Sequence, residues 1–228
     1  MKLFLCSDYT CTARFMSKFF DLSEPHKCLF VGYANEDKDF SVNDSSAADI
    51  LKDQNFELVA LDENYKFDEK IDLIFVRGGN TTQLIHYLKK YNQFEKLKKM
   101  AESGVVFAGQ SAGAILAGAD TEYTLVAEPY GVDLKKLYGT DALKGYGFVD
   151  KMIFVHASKY RMCRKGEMAE GEQPFRTLDT DCYPAYRKDL KRFSKDEFIR
   201  IGNNQVYLVD GGKKRILTFD WSKIPVKK

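Results

Sequence analysis

An excess of charge is the first thing this chain lacks: 35 basic residues against 33 acidic ones leave a formal net charge of +2. That balance gives no electrostatic case for a nucleic-acid or membrane partner, and neither is expected. A paired-cysteine pattern is also missing. Cys6, Cys11, Cys28, Cys163 and Cys182 are odd in number and none forms a Cys-x-x-Cys. Neither a disulfide framework nor a zinc site is indicated, so no metal or other cofactor is expected. A reducing cytoplasm is the expected compartment. No stretch approaches the roughly 20 apolar residues of a membrane span. The apolar run Leu3-Phe4-Leu5-Cys6 is too short for a signal peptide and reads as a first buried strand. There is no internal repeat and no low-complexity linker. What is present is an ordinary globular composition, 44% hydrophobic and 30% charged over 228 residues. That is enough chain to bury a substantial core, and one domain over residues 1–228 is the simplest expectation.

Short apolar runs alternate with helical patterns through the first two thirds. Residues 3–7, 28–33, 56–61, 71–76 and 105–108 are strand-like, and 10–22, 45–53, 81–90 and 94–102 carry helical spacing. Alternation of this kind requires crossover connections. It predicts an α/β fold, a mainly parallel doubly wound sheet with helices on both faces. The pattern changes after about Pro129. Residues 152–155 form a credible strand, and the segments 205–209 and 215–220 flank Asp210-Gly211-Gly212 as a hairpin. The charged, aromatic stretch 159–195 has no clear assignment.

Chemistry concentrates in Val105-Val106-Phe107-Ala108-Gly109-Gln110-Ser111-Ala112-Gly113-Ala114. A strand leads into Gly-x-Ser-x-Gly and then a helix, the arrangement of a nucleophile elbow. Ser111 is the expected nucleophile, and the Ala112 N–H is placed to help stabilise an oxyanion. The plainer alternative is a tight turn in which Ser111 caps the helix. A second strand-to-helix passage, Val76-Arg77-Gly78-Gly79-Asn80-Thr81, lies at the same type of sheet edge. There the Gly79 N–H is a candidate second oxyanion donor, against the simpler role of an N-cap turn made by Asn80 or Thr81. A serine nucleophile needs a base, and the chain has three histidines. His86 falls inside a helix and His26 precedes the second strand. His156 follows the strand 152–155 at the same type of edge as Ser111, and position favours it as general base.

Gly78-Gly79-Asn80-Thr81, Gly109-Gln110-Ser111-Ala112-Gly113-Ala114 and a strand-end His156 together resemble the aspartyl dipeptidase (dipeptidase E) family of serine peptidases. That family is related in fold to the class I glutamine amidotransferases. The resemblance covers roughly residues 1–156. It implies Ser111 as nucleophile, His156 as base, and the N–H groups of Gly79 and Ala112 as oxyanion hole. It also implies acyl-enzyme hydrolysis of a short peptide with an acidic N-terminal residue. The expected partners are therefore a small peptide substrate and, as a possible assembly, a second copy in a homodimer.

The sequence departs from the family's pattern around His156, which lacks the usual preceding proline and following aromatic residue, and in the segment 159–195. It departs again in the turn Ile201-Gly202-Asn203-Asn204-Gln205, where members often carry a glutamate. A carboxylate is expected to hold the imidazole. Glu128, before Pro129, matches the acidic residue that members carry before a proline and is the first choice; Asp120 and Glu122 are alternatives. An acidic substrate side chain calls for a cation near the nucleophile. Arg77 and Arg161 are the candidate substrate-binding residues, with Lys159 and Arg164 beside the latter. Two other outcomes stay open: a cyanophycinase-like or isoaspartyl hydrolase, and a catalytically degenerate ligand-binding member of the same fold.

Overall fold

A strand covered on both faces cannot afford polar alternation, and this accounts for the unbroken apolar runs. In the computed structural model β1 (Lys2–Cys6), β2 (His26–Val31), β4 (Leu73–Val76) and β5 (Val106–Gln110) bury nearly every residue. Joined by β3 (Phe56–Ala60), they form the parallel part of a seven-stranded sheet. The structure describes residues 1–8, 16–37, 40–42, 46–124, 132–157, 160–162, 175–177 and 195–218.

Successive side chains along each strand part to opposite faces. Leu3, Leu5, Leu29, Val31, Ile74, Val76 and Phe107 enter one apolar cluster. Phe4, Cys6, Cys28, Phe30, Leu73, Phe75 and Ala108 enter the other. Helices cover each. The second cluster receives Ala47, Ala48 and Leu51 from α1 (Ser46–Lys52). The first is covered by α2 (Thr81–Lys90), α3 (Phe94–Glu102) and α4 (Ala112–Leu116). The sheet is thus mainly parallel and doubly wound, as the alternation predicts.

Beyond α5 (Leu134–Tyr138) the chain builds smaller pieces. β6 (Met152–Phe154) pairs in parallel with β9 (Phe198–Arg200). Within the stretch that had no assignment, β7 (Tyr160–Met162) pairs antiparallel with β8 (Phe175–Thr177). β10 (Gln205–Asp210) returns antiparallel to β1, and β11 (Lys213–Thr218) pairs with β10. Their two-residue turn uses Gly211 at φ 54° and Gly212 at φ 81°, the paired positive values that match the twist of a tight hairpin. The sheet order is β11-β10-β1-β5-β4-β2-β3.

The expected helix over 10–22 differs. Its described part holds a 3-10 turn, Met16–Lys18, that buries Met16. The carboxylate of Asp21 then accepts from the Ser23 N–H (3.0 Å) and hydroxyl (2.7 Å). A side chain that serves local donors in this way favours a turn over a helix. Cys6 and Cys28 are buried, and burial pushes the Cys28 thiol well above its ordinary pKa. No described helix is long and apolar enough to cross a membrane.

Candidate active site

β5 delivers the chain to Ser111 at the carboxyl end of the sheet, and α4 starts at Ala112. The turn is tight because its glycines permit contacts no side chain could share. A Cβ on Gly109 would overlap the Gly113 carbonyl, and one on Gly113 would overlap the Val76 carbonyl. Between them Ser111 has φ 48° and ψ −106°, and its N–H donates to the Cys6 carbonyl at 2.8 Å. A non-glycine residue at positive φ costs roughly 1–3 kcal/mol and persists only where its surroundings impose it. The Ser111 side chain makes no cap hydrogen bond to α4. Its Oγ stands 3.1 Å from Nε2 of His156. Ser111 thus occupies the N-cap position of α4 without capping it through its side chain.

The neighbouring passage after β4 is built differently. Asn80 caps α2, its Oδ1 accepting from the Gln83 N–H and the Thr82 hydroxyl, both at 2.9 Å. Gly79 has φ 137°, and a Cβ there would overlap the Ala34 carbonyl. A Cβ on Gly78 would lie 2.9 Å from Cβ of Ser111, so this turn packs directly against the turn at Ser111. The Gly78 N–H donates to Oε1 of Gln110 at 3.2 Å. The Gly79 N–H donates to nothing among the described residues. Ala112, as the first residue of α4, has an N–H with no intrahelical acceptor. The N–H groups of Gly79 and Ala112 thus have no hydrogen-bond acceptor among the described residues.

His156 follows β6 and has φ 54°. Four hydrogen bonds hold its backbone and that of its neighbours. The Ser7 hydroxyl accepts from the His156 N–H (2.9 Å) and donates to the Ile201 carbonyl (2.8 Å). The Ile201 N–H donates to the Phe154 carbonyl (2.9 Å), and the Ala157 N–H to the Ile201 carbonyl (3.0 Å). The β6–β9 pairing thereby continues past both strands and sets His156 opposite the 201–205 turn. There Oδ1 of Asn203 lies 3.1 Å from Nδ1 of His156. The other histidines serve elsewhere. His26 begins β2 with Nε2 on the Asp21 carbonyl at 2.8 Å. His86, in α2, meets the Tyr138 hydroxyl at 3.0 Å.

Of the carboxylates considered for the imidazole, Glu128 lies outside the described residues. Glu122 is paired with Lys135 at 2.8 Å, and Asp120 accepts from the Glu122 N–H at 2.6 Å. Arg77 is half-buried beside Gly78, and its side chain forms no ion pair among the described residues. Arg161 sits on β7 opposite Arg176 of β8; its side chain, Lys159 and Arg164 lie outside what is described. Among the described residues no group of three His, Cys, Asp or Glu could hold a metal ion. Ser7 and Asn203 were not among the expected site residues. Asn203 does fall in the turn where a glutamate would follow the family's pattern, a positional signal that a search restricted to carboxylates passes over.

The model of peptidase family S51 matches residues 7–217. Peptidase E of Shewanella putrefaciens is 26% identical over 121 residues, 50% of this chain and 51% of that protein. Peptidase E of Shewanella amazonensis is 30% identical over 93 residues, 40% of each chain. The chain thus spans about half the length, or less, of these curated relatives. Among solved structures, a candidate peptidase E of Listeria monocytogenes EGD-e superposes with a TM-score of 0.67 at 16% identity, over 96% of this chain and 98% of that one. A peptidase from an acI-B1 Actinobacterium superposes at 0.54 with 13% identity, over 96% and 87%. At such identities the structural likeness speaks for the fold. It agrees with the class I glutamine amidotransferase-like architecture that the resemblance implies.

Proposed function

We propose, from the premise that this chain belongs to peptidase family S51, that it hydrolyses short peptides through an acyl-enzyme on Ser111. The observation that carries the proposal is the 3.1 Å approach of Ser111 Oγ to His156 Nε2 at a positive-φ elbow. In this reading Nε2 takes the hydroxyl proton as Oγ attacks the scissile carbonyl carbon. The N–H groups of Gly79 and Ala112 stabilise the oxyanion. The tetrahedral intermediate collapses, the C–N bond breaks, and His156 passes its proton to the leaving amine. Water, deprotonated in turn by His156, then attacks the ester and frees Ser111.

The preferred substrate is a peptide with an acidic N-terminal residue. Arg77 supports this, as a half-buried guanidinium without an ion-pair partner among the described residues, one position from Gly78. Arg161 is the second candidate. A charge-assisted contact in a desolvated pocket contributes about 1.5–3 kcal/mol, on the order of 10- to 150-fold in specificity. The test compares kcat/KM for Asp-Leu, Asn-Leu and β-Asp-Leu in the wild type, Arg77→Ala and Arg161→Ala. Asp-Leu should lead, and one of the variants should erase the lead. Equal constants for Asp-Leu and Asn-Leu would remove the acidic specificity. A lead for β-Asp-Leu would transfer the site to isoaspartyl bonds.

A further inference from the structure

We propose that Asn203 is the positioning residue of His156, its side-chain carbonyl holding the imidazole where serine hydrolases commonly use a carboxylate. The inference rests on the reading of Ser111 and His156 as nucleophile and base.

Proton bookkeeping fixes the roles. For Nε2 to accept the Ser111 proton it must carry a lone pair, so the proton of the neutral imidazole sits on Nδ1. Nδ1–H then needs an acceptor, and at 3.1 Å it faces Oδ1 of Asn203. The opposite tautomer would aim the Nδ1 lone pair at another lone pair. Asn203 is itself held. It lies in a turn closed by the Gln205 N–H donating to the Gly202 carbonyl (3.0 Å) and the Gly202 N–H donating to Oε1 of Gln205 (2.8 Å). The Ser7 hydroxyl bridges the His156 N–H and the Ile201 carbonyl, so base and positioning residue hang from one clamp at the end of β1.

Replacing a carboxylate with an amide separates two jobs. With Oδ1 toward the ring, as here, the amide accepts from Nδ1–H and so selects the tautomer and orients the imidazole; turned about, its NH2 would select the opposite tautomer. The amide brings no negative charge to the imidazolium that forms as Ser111 attacks. The site therefore keeps its alignment, gives up part of the charge stabilisation, and presents one like charge fewer to an anionic substrate. Charged groups on the adjoining elements are Asp8, which follows Ser7, and Arg200 on β9, whose guanidinium donates to the Ala157 carbonyl at 3.4 Å.

The test follows Ser111 labelling by a fluorophosphonate across pH in the wild type, Ser111→Ala, Asn203→Ala and Asn203→Asp, with thermal melts alongside. Asn203→Ala should label on the order of 10- to 100-fold more slowly with a Tm near wild type. Asn203→Asp should label readily, with the acidic limb of its profile moved to higher pH, because a carboxylate holds the imidazolium proton longer. A wild-type chain that labels no faster than Ser111→Ala would overturn the hydrolase reading and this inference with it. Wild-type labelling undiminished in Asn203→Ala would overturn the role of Asn203 alone. So would an Asn203→Asp profile that coincides with wild type, a result that holds even if the alanine variant fails to fold.

Discussion

Two strand-to-helix turns stand side by side at the carboxyl edge of the sheet, and they use a polar side chain in opposite ways. After β4, Asn80 sits at φ −80° and turns its oxygen onto the N–H of Gln83, closing the start of α2. After β5, Ser111 sits at φ 48°, leaves the start of α4 uncapped, and turns its oxygen to His156. The first turn gains helix stability from its side chain. The second forgoes that gain and holds a strained backbone, and what results is a hydroxyl presented to an imidazole.

Three substitutions or titrations would sharpen that contrast or break it. The largest effect is expected from Ser111→Ala. Hydrolysis should fall on the order of 10⁶-fold, as when a serine nucleophile is removed elsewhere. The Tm should hold, because no cap is lost and the Cβ that fits the turn remains. A melting temperature that drops by several degrees would mean that Ser111 serves the fold. Asn80→Ala should give the reverse pattern. Losing a cap costs about 1 kcal/mol, which lowers Tm by about 2–4 °C in a chain of this size, while fluorophosphonate labelling of Ser111 persists. An unchanged Tm would remove the distinction between the turns.

The smallest effect is a pH dependence carried by the capped helix. α2 contains His86, whose pKa is lowered by burial and, less, by Lys90; α4, Ala-Gly-Ala-Ile-Leu, has no titratable side chain. A histidine with a depressed folded-state pKa contributes stability that is present above its unfolded pKa of about 6.5 and is lost as pH falls through the folded value. His86 is partly exposed, so the slope is shallow. Melts between neutral and mildly acid pH should show wild type losing slightly more stability than His86→Gln. Parallel curves would place the sensitivity elsewhere.

The part of the molecule legible in sequence is the part whose causes are local. β1, β2, β4 and β5 read as apolar runs because both faces of each are covered, and the tight strand-to-helix turn is spelled within Gly109–Gly113. His156 could be reached by elimination, since a strand-end position separates it from His26 and His86. Ser7 and Asn203 could not. Their contacts with His156 join residues 149 and 47 positions apart, through a pairing of two three-residue strands, too short to show any period. The helix expected over 10–22 failed in its described part for a local reason, the hydrogen bonds Asp21 offers to Ser23, which hydrophobic spacing alone does not weigh.

The seating of β1 between β5 and β10 has a consequence for the nascent chain. Its parallel neighbour, β5, has been made by residue 110, but its antiparallel neighbour is complete only at residue 210. At about 5–20 residues per second the ribosome needs roughly 5–20 s to supply that second partner. Until then Lys2–Cys6 offers a row of unpaired amides and carbonyls to any other extended segment, at the time when chains are most concentrated on a polysome. The turn that carries Asn203 arrives with the strand that covers this edge, so His156 gains its Asn203 neighbour and the β1 edge is closed in the same step.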